Sequence, residues 1–187
     1  MNSDDPGREI RTMTLEAFAD TIIPGEKRSP QDRAVAGAAP GGGAVAAGAI
    51  AILETPEGGM EPSLGDLAAA LNGHAARYCA EHGLEPDPEL PFVGLASEHR
   101  IALAAELMAP EHPEKMFWVG LAMFSYMAFD TGAHMHTAQA LAQGHPGLLT
   151  LGFAPPDPDG LWRFPKSSYR RALAPLHPDT SETGSLK

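Results

Sequence analysis

The chain has 187 residues, enough for one domain with a single sizeable core. A formal net charge of -11 and a pI near 5.0 oppose binding to a polyanion through a general electrostatic surface, so nucleic acid is not an expected partner. The single cysteine, Cys79, excludes an internal disulfide and a multi-thiolate metal centre, and reads as a small buried helix residue.

Residues 1–11 are polar and expected to be flexible. MNSDDPGREI has acids and polar residues where a secretory signal would carry a basic and then an apolar region, so a cytoplasmic protein is expected. Thr14 is placed to cap a helix whose Leu15, Phe18, Ala19, Ile22 and Ile23 keep the spacing of one buried face, and Pro24-Gly25 stops it. The uncharged stretch from Ala34 to Leu53 is too rich in Ala and Gly, and too broken by Pro40 and Gly41 to Gly43, for a membrane span. Ala44 to Leu53 is expected to form a packed helix of small residues, with Gly48 as its weak point.

Ser63 with Asp66 resembles a capping box ahead of a helix that keeps Leu64, Leu67, Ala68, Leu71, Ala75, Tyr78 and Cys79 in phase, with Gly83 as the stop. His74, Tyr78 and His82 share one of its faces, as a metal stripe or as partly solvated rings at a helix edge. The prolines of Glu85 to Pro91 make a loop, and Leu95 to Met108 a further helix with Glu98, His99, Arg100 and Glu106 on its polar side. Pro113 to Phe129 is the longest bulky apolar run, apolar nearly all round from Phe117, which predicts a central buried helix. Gly132 kinks or ends it, His134 to Gln143 can form another helix, and His145-Pro146-Gly147 opens a short apolar element, Leu148 to Phe153.

No segment alternates as a strand would, and no fixed-period repeat is present. The expected fold is therefore all-α: a single-domain helical bundle over 1–187, with about five to seven helices around a central apolar helix and a long Pro-rich tail from 154 to 187, docked or partly disordered.

Chemistry-bearing residues crowd at the end of the apolar run. Asp130 and His134 are i, i+4 if the helix continues, a pairing that can orient an imidazole for acid/base work or support a metal ligand. His136 joins His134 on one metal ion only if Gly132 breaks the helix; otherwise the three are buried polar groups hydrogen-bonded around a helix break. Trp118, Phe124, Tyr126 and Met127 can line an apolar pocket beside them, for a reaction or for an apolar small molecule, with core packing as the alternative. Zinc-protease, di-iron, P-loop, dinucleotide and serine-elbow signatures are absent. In the tail, Trp162, Arg163, Phe164, Tyr169, Arg170 and Arg171 form an aromatic and basic edge without acids, suited to docking a carboxylate-bearing partner or to pairing with the protein's own acidic surface.

Two stretches, LEAFADTIIPGEKRSP and HPGLLTLGFAPPDPDG, resemble the opening and closing motifs of the gluconate 2-dehydrogenase subunit 3 family. The matching positions are Asp20, Thr21, Ile22, Ile23 and Pro24, then His145, Pro146, Leu151, Gly152, Phe153 and Pro156. The resemblance implies a helical small subunit that binds no flavin itself and supports a large flavin-dependent oxidoreductase of the glucose-methanol-choline type. That family often contributes an export signal, whereas the arginine pair here, Arg170-Arg171, lies near the C-terminus, which points to a cytoplasmic and biosynthetic role. The competing expectation is a stand-alone helical enzyme using Asp130, His134 and His136, with a metal ion as its optional cofactor.

Overall fold

The computed structural model describes residues 6–56, 60–154 and 178–179. The chain divides into two compact units, Met1–Phe153 and Ala154–Lys187, and every helix named below belongs to the first. The expected partner-binding residues Trp162, Arg163, Phe164, Tyr169, Arg170 and Arg171 lie outside the described residues.

The fold is all-α, with eight α-helices and no strand among the described residues. They are α1 (Pro6–Ile22), α2 (Ala49–Leu53), α3 (Leu64–His82), α4 (Pro91–Gly94), α5 (Ser97–Leu107), α6 (Lys115–Thr131), α7 (Thr137–Ala142) and α8 (Pro146–Thr150). Helix α1 packs against each of α2 to α6. Its apolar stripe buries Leu15, Phe18 and Ala19, and the Phe18 ring lies 6.3 Å from Phe92 of α4 and 6.2 Å from Trp118 of α6. Leu64, Leu71, Leu103, Leu107 and Leu121 complete this core, the helix periodicity of each segment turning one stripe inward.

Several boundaries differ from expectation, each for a local reason. Helix α1 begins at Pro6, so Thr14 is an interior residue; it is buried, and its hydroxyl accepts a hydrogen bond from Asn72 of α3. Helix α2 is only Ala49–Leu53, because Gly48 adopts φ 92, a left-handed conformation that a helix cannot propagate through. Ser63 makes no side-chain cap; the chain enters α3 through a 3-10 turn, Glu61–Ser63. Helix α6 starts after Glu114 rather than at Pro113. Gly83 and Gly132 end α3 and α6 in the left-handed conformation, as their positions predict.

The larger correction concerns α6. Trp118, Leu121, Ala122, Ser125 and Ala128 face the core, but Met116 (76% exposed), Phe117 (64%), Met123 (58%), Tyr126 (51%) and Met127 (41%) lie on the opposite side in solvent. Both faces are apolar, and among the described residues only one is covered. Among the described residues no helix is long and apolar enough to cross a membrane.

Candidate functional site

The glycine-rich segment between α1 and α2 is where the two motif-bearing stretches meet. The buried Asp20 carboxylate accepts hydrogen bonds from the amides of Gly25 (3.0 Å) and Ala36 (2.8 Å), fixing the turn that leaves α1. That turn lies so close to the glycine run that a Cβ on Gly43 would overlap the Ile23 carbonyl, and the Ala44 amide donates to the same oxygen at 3.0 Å. From the other side, a Cβ on Gly42 would lie 2.8 Å from the Pro146 side chain. The run is a packing surface that admits the Ile23–Pro24 backbone on one side and the Pro146 ring on the other.

His145 completes this junction. Its Nδ1 accepts the Leu148 amide at 3.3 Å and so caps α8. The proton is therefore on Nε2, which donates to the Ala47 carbonyl at 3.1 Å. His134 stacks over Gly48, where a Cβ would collide with its ring, and its ring centre is 6.2 Å from that of His145. Burial, and then the neighbouring His145, hold the His134 imidazole below its ordinary value. Its Nδ1 is buried and has no hydrogen-bond partner among the described residues. The two histidines, with Ala47, Gly48, Met135 and Gln143, border a cavity of about 190 Å³.

Asp130 and His136 do not join His134. Asp130 is exposed near the end of α6, and Gly132 ends that helix before the i, i+4 relation can form. His136 is exposed, and its Nδ1 accepts the Ala138 amide as the N-cap of α7. The four expected pocket residues also separate: Trp118 is buried in the core, Phe124 is half-buried against it, and Tyr126 and Met127 face solvent.

The stripe on α3 divides as well. His82 donates from Nδ1 to the Tyr78 carbonyl at 2.9 Å and stacks on the Tyr78 ring, while the Tyr78 hydroxyl meets His99 Nδ1 at 3.0 Å. His74 turns to the entrance of α6, where its Nε2 lies 2.7 Å from a Glu114 carboxylate oxygen and its ring 5.6 Å from that of His112. His74, His112 and Glu114 are the residues with metal-ligating geometry among those described. No local sequence signal joins them: His112 and Glu114 are two apart, but His74 comes from a different helix.

A groove of about 670 Å³ beside α1 is lined by Glu16, Arg28, Asp32 and Arg33 among others. Its cations are engaged already. Arg28 grips both Glu16 oxygens and Asp32, and Arg33 reaches Asp87 at 2.6 Å. The Arg28 bond holds the Asp32 carboxyl down at about 2.

The geometry thus defines a small all-α protein with a glycine-packed junction, a histidine-lined cavity and a bare apolar helix face. The chain belongs to a family of unknown function, DUF5987, whose profile matches residues 9–187. No curated protein and no solved structure matches it.

Proposed function

We propose that this protein is an accessory subunit that binds and supports a flavin-dependent oxidoreductase, with no flavin of its own. The observation that carries the reading is the α6 face. Met116, Phe117, Met123, Tyr126 and Met127 present large flexible and aromatic side chains along one exposed helix side. Surfaces rich in Met and aromatic residues are typical of protein interfaces, and an uncovered apolar stripe is unfavourable for a protein that works alone. The occupant proposed is the large flavoprotein subunit implied by the D-T-I-I-P and H-P motifs. Those motifs form the junction that holds α8 and the turn after α1. An acidic chain of net charge -11 suits a protein partner better than a polyanion. The proposed setting is cytoplasmic and biosynthetic.

The test is co-expression with a glucose-methanol-choline type flavoprotein from the same genome, followed by size-exclusion chromatography monitored by flavin absorbance. The wild-type chain is expected to co-elute with the flavoprotein and raise its flavin content. Phe117→Asp and Met123→Asp are expected to lose co-elution while keeping helical circular dichroism. Co-elution unchanged by both substitutions would remove α6 as the interface, and substrate turnover by the isolated chain would overturn the subunit reading.

A further inference from the structure

We propose that His74, His112 and Glu114 form a binding site for a divalent transition-metal ion of the zinc type, for which Arg77 is an internal competitor. The ligand atoms of the three residues lie within 4.8 Å of one another. A tetrahedral ion with bonds of about 2.1 Å needs ligands roughly 3.4 Å apart. His112 and Glu114 belong to the turn ahead of α6, so a small adjustment of that turn can bring His112 in and let the Glu114 oxygen, 2.7 Å from His74 Nε2, move out to that spacing. Two imidazoles and one carboxylate select zinc-like ions over magnesium or calcium, and three protein ligands leave a fourth position for water.

The surroundings orient the carboxylate. His74 Nε2 and the Trp118 indole N–H both meet the same Glu114 oxygen, Oε2, the indole at 3.3 Å. Trp118 also stands edge-on to His74, with ring centres 5.5 Å apart. This indole would keep the carboxylate oriented toward the ion and report its arrival.

Arg77 opposes the ion through the tautomer of His74. A guanidinium only donates, so His74 Nδ1, 2.6 Å from Arg77, is the acceptor and Nε2 carries the proton toward Glu114. An ion on Nε2 requires that proton to move to Nδ1, and Arg77 must then swing into solvent. Arg77 is exposed, so this step gives up one solvent-facing hydrogen bond. The Glu114 amide likewise exchanges its 3.2 Å contact with His112 Nδ1 for water. Both exchanges are small against two metal–imidazole bonds.

The experiment uses the full chain carrying Trp162→Phe, which leaves Trp118 as the sole indole, dialysed against chelator and titrated with Zn²⁺ by calorimetry and with Co²⁺ by fluorescence and visible absorption. One equivalent should bind, with Co²⁺ quenching Trp118 and showing tetrahedral absorption bands. His112→Ala and Glu114→Gln, both in a solvent-accessible turn, should abolish the site, and His136→Ala should leave it intact. Arg77→Met should tighten Zn²⁺ binding by roughly threefold to tenfold, the value of one exposed hydrogen bond. Wild-type affinity in His112→Ala, or affinity unmoved or weakened in Arg77→Met, would overturn the proposal.

Discussion

His145 and Ala47, 98 residues apart in sequence, share a 3.1 Å hydrogen bond that joins α8 to the glycine segment ahead of α2. The same imidazole caps α8 through Leu148, so one side chain serves two backbone groups. Replacing it with Ala leaves a buried carbonyl and a buried amide unmatched, and should cost about 2–4 kcal/mol. His145→Asn should recover the cap alone and fall between the two. Urea denaturation of the three proteins measures this; equal stability of the Ala and Asn variants would show that the cap contributes nothing.

Arg100 is almost fully buried and donates to the carbonyls of Leu95, Ala34, Arg33 and Val93. It ties the start of α5 to α4 and to the Arg33–Ala34 segment. Arg100→Met should lower stability by about 3 kcal/mol or more, because the acceptors lose charge-assisted bonds inside the core. Arg100→Lys should be nearly as harmful, since an ammonium cannot reach acceptors spread around a planar fork. Thermal melts followed by circular dichroism give the comparison, and a mild Lys variant would refute the fork argument.

Two glycines make a matched pair. Gly147 lies against the Phe129 backbone so closely that a Cβ would overlap its carbonyl oxygen, whereas a Cβ on Gly120, inside α6, would meet nothing within 4 Å among the described residues. Gly147→Ala should therefore destabilise by about 1–3 kcal/mol or more. Gly120→Ala should stabilise by roughly 0.5–1 kcal/mol through helix propensity. Opposite shifts in melting temperature are the expected result.

The depressed His134 imidazole has a signed consequence for pH. In the folded chain it binds its proton at lower pH than in the unfolded chain, where the ordinary value is 6.5. The unfolded state thus takes up more protons as pH falls below 6.5, and stability declines through the window between that value and the lower folded one. Above 6.5 the contribution is complete and flat. His134→Gln should flatten the stability profile in this window, as read from urea midpoints at stepped pH; an unchanged slope would assign the acid sensitivity to another group.

Helical content and much of the core were legible in the sequence because they rest on local periodicity. Leu15, Phe18 and Ala19 on α1, and Leu64, Leu71 and Ala75 on α3, are buried as their spacing predicts. Gly83 and Gly132 stop their helices for reasons contained in one residue. The α6 surface was not legible, since a helix apolar on both sides carries no periodic mark of which side is covered. Arg100 reads as a surface residue because its acceptors include carbonyls 66 and 67 positions away. The arrangement of the candidate site residues was not legible for the same reason. Asp130, His134 and His136 are neighbours in sequence, yet a helix end and a cap send them to different tasks, while His134 meets His145 and His74 meets Glu114 only through tertiary packing.

The approach of Pro146 to Gly42 sets an order of events during synthesis. Helix α1 and the glycine segment leave the ribosome long before the residues that seal them, so the nascent chain must hold that segment open, with the Ala47 carbonyl on water, until His145 emerges. The contact is non-local, so its closure entropy has to be met before the His145 bond and the Pro146 packing return anything.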